Sequence, residues 1–362
     1  MPDGIANSNR VEHTTERKLY AKVVDNILNS RTLAAHLMRR GKPFSGKTYD
    51  YTVKITDSGL GEWFTGLETF SSAASDTTIS LSYAHAAMEQ PIVIPMLEAF
   101  ANTGPEATID LSAFKYEEAH AEATQKLGTA LYGTGSGDQA LGLGATNDDG
   151  TDVSTIGGQS RTTYSALNGQ RNASGGTLSL SKLATLYDDC SSAGIESEEP
   201  DSIWTTKAIW SLYEQLLSPQ VRADYRSIGY DALPVGGDVV VKRVDLKGAA
   251  GLSSLSYKGI PMLKDDGCTS QTLFMNNSRY LEWRGRTIVP AKFAGMIEKV
   301  NLGTPSTMEG VASAPSEYHG WFHQKEQMMP NQAGLVGRLY VIGQLCTSQP
   351  RRLGMLTGIT GV

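Results

Sequence analysis

The 362 residues predict an α+β fold. Three observations carry that reading. A single helical signal runs without interruption from Thr103 to Tyr132. Two runs of polar/apolar alternation flank a glycine-rich segment between Lys47 and Ala84, and the downstream strands and helices are mixed without regular βαβ alternation.

In chain order, residues 1–15 are polar and predict an irregular arm. From Glu16 to Arg39, Leu19, Val23, Val24, Ile27 and Leu28, then Leu33, Leu37 and Met38, recur at helical steps until Gly41 and Pro43 stop them. An amphipathic helix is expected, lying either on its own surface or under a neighbour. From Lys47 the period becomes two: Tyr49, Tyr51, Val53 and Ile55 alternate with polar residues, as do Ile79, Leu81 and Tyr83. Such a pair predicts a long antiparallel hairpin. Its connecting stretch, DSGLGEWFTGLETFSSAASD, is too long for a tight turn and carries Leu60, Trp63, Phe64, Leu67 and Phe70. Apolar groups on a tip far from their own core need another chain to cover them, unless the tip folds back on its own subunit.

A β-prone run, PIVIPML, leads into the long helix. Thr103 and Glu106 have capping-box spacing around Pro105. Ile109, Ala113, Tyr116, His120, Ala123, Leu127 and Ala130 then share one mostly small face. Glu118, Glu122 and Lys126 take the other side, with Glu122 and Lys126 in the favourable i, i+4 order, and Gly133 stands where a left-handed cap is expected. At about 1.5 Å per residue such a rod spans on the order of 40 Å and suits a position across a sheet. The stretches GTGSGDQALGLGATNDDGTD and IGGQSRTTYSALNGQRNASGG predict extended surface loops. After them come a helix from Ser181 to Ala193, a strand from Ser202 to Thr205 and a helix from Lys207 to Leu217. Strands follow at Val239–Val244, Met262–Lys264, Thr272–Met275 and Leu335–Cys346.

Composition excludes several function classes. A net charge of -6 and a pI near 5.6 give no basic footprint for phosphate neutralisation. No apolar run reaches the roughly 18 residues of a membrane span, and MPDGIANSNR lacks the apolar core of a signal peptide, so a soluble chain retained in its cell is expected. Cys190, Cys268 and Cys346 are few and far apart, which suits a reduced compartment.

Motifs for chemistry are nearly absent. Gly133, Gly135 and Gly137 follow a helix, whereas a dinucleotide fingerprint follows a strand, and no GxxxxGK[ST] occurs. His319 and His323 have zinc-ligand spacing but no indicated third ligand. Ser179 and Lys182 form an SxxK without companion motifs, and Asp265 and Asp266 sit in a turn before Gly267. No catalytic residue, cofactor or metal is predicted, and the expected role is structural.

The order of arm helix, long hairpin and long helix ending in LYGTG, then DSIWTTKAIWSLYEQLL, YKGIPMLKDDGCTSQTLFMNNSRYLEW and GRLYVIGQLCTSQPRRLGMLTGI, resembles the major capsid proteins of tailed bacteriophages, which have the Hong Kong 97 fold. The resemblance covers residue 16 to the end. Its most specific parts are Lys258 to Trp283 and the terminal segment with Pro350, Arg351 and Arg352.

It implies an N-arm over 1–46, an E-loop hairpin over 47–86, a peripheral domain with a spine helix over 87–135, an α/β axial domain over 136–283, and return strands over 284–362 that complete the peripheral domain. It further implies self-assembly as pentamers and hexamers into an icosahedral head around double-stranded DNA, made in the host cytoplasm. A separate scaffolding protein, a portal and a decoration protein are the implied partners, with no membrane and no specific DNA binding. The start at Met1, just before the arm, is read as lacking the cleaved scaffolding extension of some members. Lys47 and Lys54 are candidates for the family's Lys–Asn crosslink, but with no identified partner none is predicted. The expected assembly interface is Leu60, Trp63, Phe64, Leu67 and Phe70 on the tip, with Arg39 and Arg40 on the arm. Two alternatives stand beside it: an encapsulin-like nanocompartment shell of the same fold, and an α+β enzyme with its site in the loops from Gly133 to Gly176.

Overall fold

A computed structural model describes residues 32–67, 69, 76–101, 111–191, 198–221, 255–289, 296–299, 319–329 and 333–361. Its elements, in order, are α1 (Thr32–Arg39), β1 (Lys42–Phe44), β2 (Thr48–Lys54), β3 (Thr78–Ala84), β4 (Ala86–Pro95), α2 (Met96–Ala101), α3 (Leu111–Ala130) and α4 (Leu143–Thr146). Next come β5 (Thr155–Ile156), β6 (Gln159–Ser160), β7 (Gln170–Asn172), β8 (Gly176–Thr177), α5 (Leu180–Cys190), β9 (Ser202–Thr205) and α6 (Lys207–Val221). Strands β10 (Leu255–Tyr257), β11 (Ile260–Lys264), β12 (Leu273–Asn276), β13 (Leu281–Arg286), β14 (Ile297–Lys299), β15 (Trp321–Met328), β16 (Gly334–Thr347), β17 (Gly354–Leu356) and β18 (Ile359–Thr360) complete the chain. The expected capping box at Thr103–Glu106, Ile109 and the strand Val239–Val244 lie outside the described residues.

The long helix α3 lies across the sheet, as its small face requires. Ala119, Ala123 and Leu127 are buried, and Leu131 continues that line past the helix end. Ala123, Leu127 and Leu131 meet Leu339 and Val341 of β16 and Leu33, Leu37 and Met38 of α1 in one cluster. Alanine lets the helix axis approach the strands closely, so added volume at Ala123 has nowhere to go. The expected Glu122–Lys126 pairing takes another form. Gln90 of β4 donates to Glu122 Oε2 (2.5 Å) and accepts from Lys126 Nζ (2.6 Å), tying helix to strand.

Gly133 is not the left-handed cap expected of it; positive φ falls at Gly135 (71°) and Gly137 (68°) instead. The helix tightens, with Tyr132 N–H bonding Thr129 O and Gly133 N–H bonding Ala130 O. The backbone of α4 then crowds Gly133, because a Cβ on Gly142 would come within 2.5 Å of the Gly133 oxygen. Close approach of two backbones is what glycine serves at Gly142, whereas a Cβ on Gly133 would meet nothing closer than the Ala130 oxygen, at 3.3 Å.

In the first sheet, β16 pairs antiparallel with β4, β13 and β15. β1 adds parallel to β13, and β14 adds antiparallel to β15. Strands β13 and β15 meet end to end beside β16, and glycine makes room: a Cβ on Gly285 would sit 2.0 Å from the His319 oxygen, and one on Gly343 2.4 Å from Trp283.

The second sheet has the order β10-β11-β9-β12-β17-β7, with α5 and α6 packed on it around Leu183, Leu186, Ile203, Ile209, Met262 and Met275. Residues after 353 do not complete the first sheet as expected. β17 pairs with β12 and β7, and β18 with β8, so the chain's end closes the second sheet. The three cysteines are buried, and burial pushes the Cys190 and Cys346 thiols up to about 12, as suits packing groups.

Beneath the loops, Asp148 is fully buried. Its Oδ2 accepts from the backbone N–H groups of Gly150, Asp152 and Val153, and its Oδ1 from Arg171 Nη1 at 2.8 Å. Arg161, equally buried, lies 3.4 Å from Asp148 and donates to the carbonyls of Ala145 and Leu167. Breaking such a pair strands a buried charge, which costs about 3–5 kcal/mol. Asp148→Ala is expected to lower unfolding stability in urea by that amount, and a loss under about 1 kcal/mol would contradict the assignment.

Candidate self-association surface

The hairpin of β2 and β3 leaves the first sheet between β1 and β4. Its register places Tyr49 opposite Tyr83, Tyr51 opposite Leu81 and Val53 opposite Ile79, so the alternating apolar residues share one face. That face is covered at the base by Ile156 and Leu167, with Cys346 of β16 in the same cluster. Gly157 O accepts from Ser82 N–H, and Gln159 Nε2 donates to Ser80 O, adding edge contacts. Burying Leu81 and Tyr83 contributes roughly 1.5–3 kcal/mol each.

Polar groups fix the hairpin's angle. Glu282 of β13 accepts from Lys42 Nζ, from Arg284 Nη2 (2.5 Å) and from the Tyr51 hydroxyl (3.2 Å). The Arg284 guanidinium lies 4.2 Å from the Tyr49 ring centroid. Burial is the largest influence on Glu282 and pushes its carboxyl up. The Lys42 hydrogen bond and the Arg284 charge nevertheless hold it below its ordinary value. Rings run edge to face from Phe44 through Tyr49 and Tyr51 to Tyr83, whose hydroxyl donates to Thr347 O at 2.8 Å. Gln344 of β16 donates to Ala84 O and accepts from Leu141 N–H.

Beyond Ile55 these supports end. Leu60, Trp63, Phe64 and Leu67 are exposed, Trp63 and Leu67 completely (101% and 110%), so they do not fold back on their own core. Phe70 lies outside the described residues. On the arm, Arg39 is the last residue of α1, its side chain outside the described set, and exposed Arg40 lies 3.8 Å from Asp201, a surface pair worth little.

Arm placement comes from Asp265, which the sequence suggests only as a turn residue. Its Oδ1 does accept from Gly267 N–H, as a turn aspartate should, while Oδ2 accepts from Leu33 N–H (2.8 Å) and the Thr32 hydroxyl, capping α1. A second exposed apolar group, Leu97 and Phe100 on α2, went unpredicted; the run MLEAF after Pro95 is its sequence signal.

The remaining candidates take structural places. His319 accepts from Trp283 Nε1 through its carbonyl, and the His323 ring meets Tyr116 edge-on at 4.8 Å. Among the described residues no His, Cys, Asp and Glu side chains gather as a metal-holding group. Ser179 caps α5, and Lys182 donates to the carbonyls of Gly175 and Thr177. A groove of about 850 Å³ lies between the end of α3, the start of β4 and residues 133–140. Its floor includes Met88, Leu127, Trp283 and Val341. No described helix is long and apolar enough to cross a membrane.

Compared with known proteins, no family model matches the chain, and no curated protein matches it in sequence. Solved structures do. The capsid asymmetric unit of cyanophage A-1(L) is similar at a TM-score of 0.68 and 16% identity, over 98% of this chain and 99% of that one. The capsid of Myoviridae phage XM1 is similar at 0.56 and 14% identity, over 98% and 99%. A holo encapsulin complex from Synechococcus elongatus is similar at 0.57 and 10% identity, over 97% and 96%. With nearly complete coverage both ways, these likenesses define the fold: the chain has the Hong Kong 97-type capsid fold.

Removing the Glu282 carboxylate leaves Lys42, Arg284 and the Tyr51 hydroxyl without their shared acceptor. Glu282→Ala is expected to cost about 1–3 kcal/mol and to speed limited proteolysis between residues 55 and 77, with the rest of the chain intact. An unchanged cleavage rate would show that the carboxylate does not hold the hairpin.

Proposed function

We propose that the chain is a structural shell subunit, the major capsid protein of a tailed phage, whose mechanism is self-assembly. The observation that carries this reading is the apolar tip, with Trp63 and Leu67 fully exposed, on a hairpin whose base is tightly held. A rigid arm presenting Leu60, Trp63, Phe64 and Leu67 to water is costly for a solitary chain and useful for one whose copies cover each other's tips. The likeness to phage capsids supports the same reading. In it, pentamers and hexamers close an icosahedral head around double-stranded DNA. The head forms in the host cytoplasm with a scaffolding protein and a portal, and a decoration protein is a further partner on its outside. The DNA is held by enclosure, so a wall of net charge -6 need not neutralise it. Arg39 and Arg40 lie on the arm side of the same proposed contact.

A second reading is an encapsulin-like compartment, favoured by the Synechococcus elongatus encapsulin among the similar folds. Purified particles separate the two: nuclease-protected double-stranded DNA supports the phage head, and a co-purifying protein cargo supports the compartment. The enzyme reading draws less support. Among the described loop residues, Asp148 is bonded by both Arg161 and Arg171, and Gly135 and Gly142 pack on neighbouring backbone.

Each tip aromatic contributes roughly 1.5–3 kcal/mol when enclosed. The double substitution Trp63→Ala with Phe64→Ala is therefore expected to leave the subunit folded by circular dichroism. It should lower shell yield by at least about tenfold, since about 1.4 kcal/mol already makes that factor. Particles of unchanged number and thermal stability under the electron microscope would count against the reading.

A further inference from the structure

We propose that Arg286 and His85 form a staple across both feet of the projecting hairpin, and that acid opens it by protonating His85. His85 is the single residue between β3 and β4, where the hairpin's outgoing strand becomes part of the first sheet. Arg286 ends β13, opposite Phe44 in the parallel register of β1. Its Nη1 lies 3.2 Å from His85 Nε2 on the outgoing foot and donates, also at 3.2 Å, to the Gly46 carbonyl on the incoming foot. One guanidinium thus spans both strands where they leave the sheet.

The chemistry of that contact fixes the state of the ring. A guanidinium has donors only and stays charged, so Nε2 must be the acceptor and the imidazole must be neutral. The tautomer then carries its proton on Nδ1, which is buried and has no hydrogen-bond partner among the described residues. A second proton would place an N–H against the guanidinium and a positive charge beside it, with Nδ1 unable to compensate. Phe44 packs edge-on against the ring at 4.9 Å and offers no acceptor.

Charged and titratable groups on the surrounding elements are Glu282 and Arg284 of β13, Lys42 of β1, exposed Lys47 and Asp50 and half-buried Tyr49 and Tyr51 on the incoming side, Tyr83 of β3, Glu89 of β4 and Cys346 of β16. Glu282 is committed to Lys42, Arg284 and Tyr51, Glu89 pairs with Arg338, and Gln344 of β16 reaches the outgoing foot as a neutral donor to Ala84 O. Burial, and then the Arg286 charge, hold the His85 imidazole below its ordinary value of 6.5. A depressed folded-state value means that the contact's contribution is whole above the ordinary value of 6.5 and is lost as pH falls through the folded value. The hairpin's feet therefore loosen in mild acid, whether or not the chain builds a shell.

Hydrogen exchange by mass spectrometry on the full chain, corrected for intrinsic rates, reads the feet directly at residues 46–54 and 78–86. Between pH 7.5 and 5.0 the wild type is expected to lose protection there by roughly threefold or more. His85→Gln keeps an acceptor without a titrating ring, and Arg286→Gln keeps a donor without the charge; each should cut that pH dependence to less than about 1.5-fold. Protection in the wild type that does not change with pH, or variants that loosen as much as the wild type, would overturn the proposal. Should one variant fail to fold, the other decides.

Discussion

Strand β16 is the constraint to which the other parts refer. Ten of its residues pair with β4 on one edge, from Gly334 opposite Pro95 to Gly343 opposite Ala86, while β15 and then β13 share the other. Leu339, Val341 and Leu345 join the core beneath the long helix, and the strand's end gives Gln344, Cys346 and Thr347 to the root of the hairpin. The helix, the sheet and the projecting hairpin thus take their orientation from one continuous backbone. Antiparallel pairing over that length leaves little freedom of register, because a one-residue slip would turn Leu339 and Val341 outward.

From that frame the polar contacts gain their meaning. Gln90, Glu122 and Lys126 lock the helix to β4, Glu282 gathers three donors at the hairpin's base, and Asp265 fixes where the arm leaves the second sheet. Each places a charged or amide group at a joint between elements, where geometry rather than net energy is at stake. Support stops abruptly at the tip, which is apolar and exposed. A scaffold this firmly held, ending in surface that water disfavours, is the physical argument for a partner of the same kind.

Much of this was legible in the sequence wherever local period decides the outcome. The 3.6-residue recurrence marked the long helix, and the two-residue alternation from Tyr49 to Ile55 and from Ile79 to Tyr83 marked the hairpin and its inward face. The exposure of the tip was readable, because large apolar residues in a long glycine-rich loop lie far from their own core. What stayed hidden was long-range. His85 and Arg286 are 201 residues apart, and Tyr51 and Glu282 are 231 apart, so no local pattern announces either contact. Gly133 read as a cap by its place after the helix, but the glycine required at that joint is Gly142, whose Cβ would strike the Ala130 and Gly133 oxygens that only the folded chain brings near. The terminal strands were assigned to the wrong sheet for the same reason: Gly354–Leu356 is too short to declare its partner.

The central claim is that this subunit is completed by copies of itself. Electron micrographs of the purified wild-type chain test it most directly. The account predicts closed shells in which each hairpin tip lies against an adjacent subunit. A monodisperse solution of single subunits at micromolar concentration, with the tip open to solvent, would contradict it.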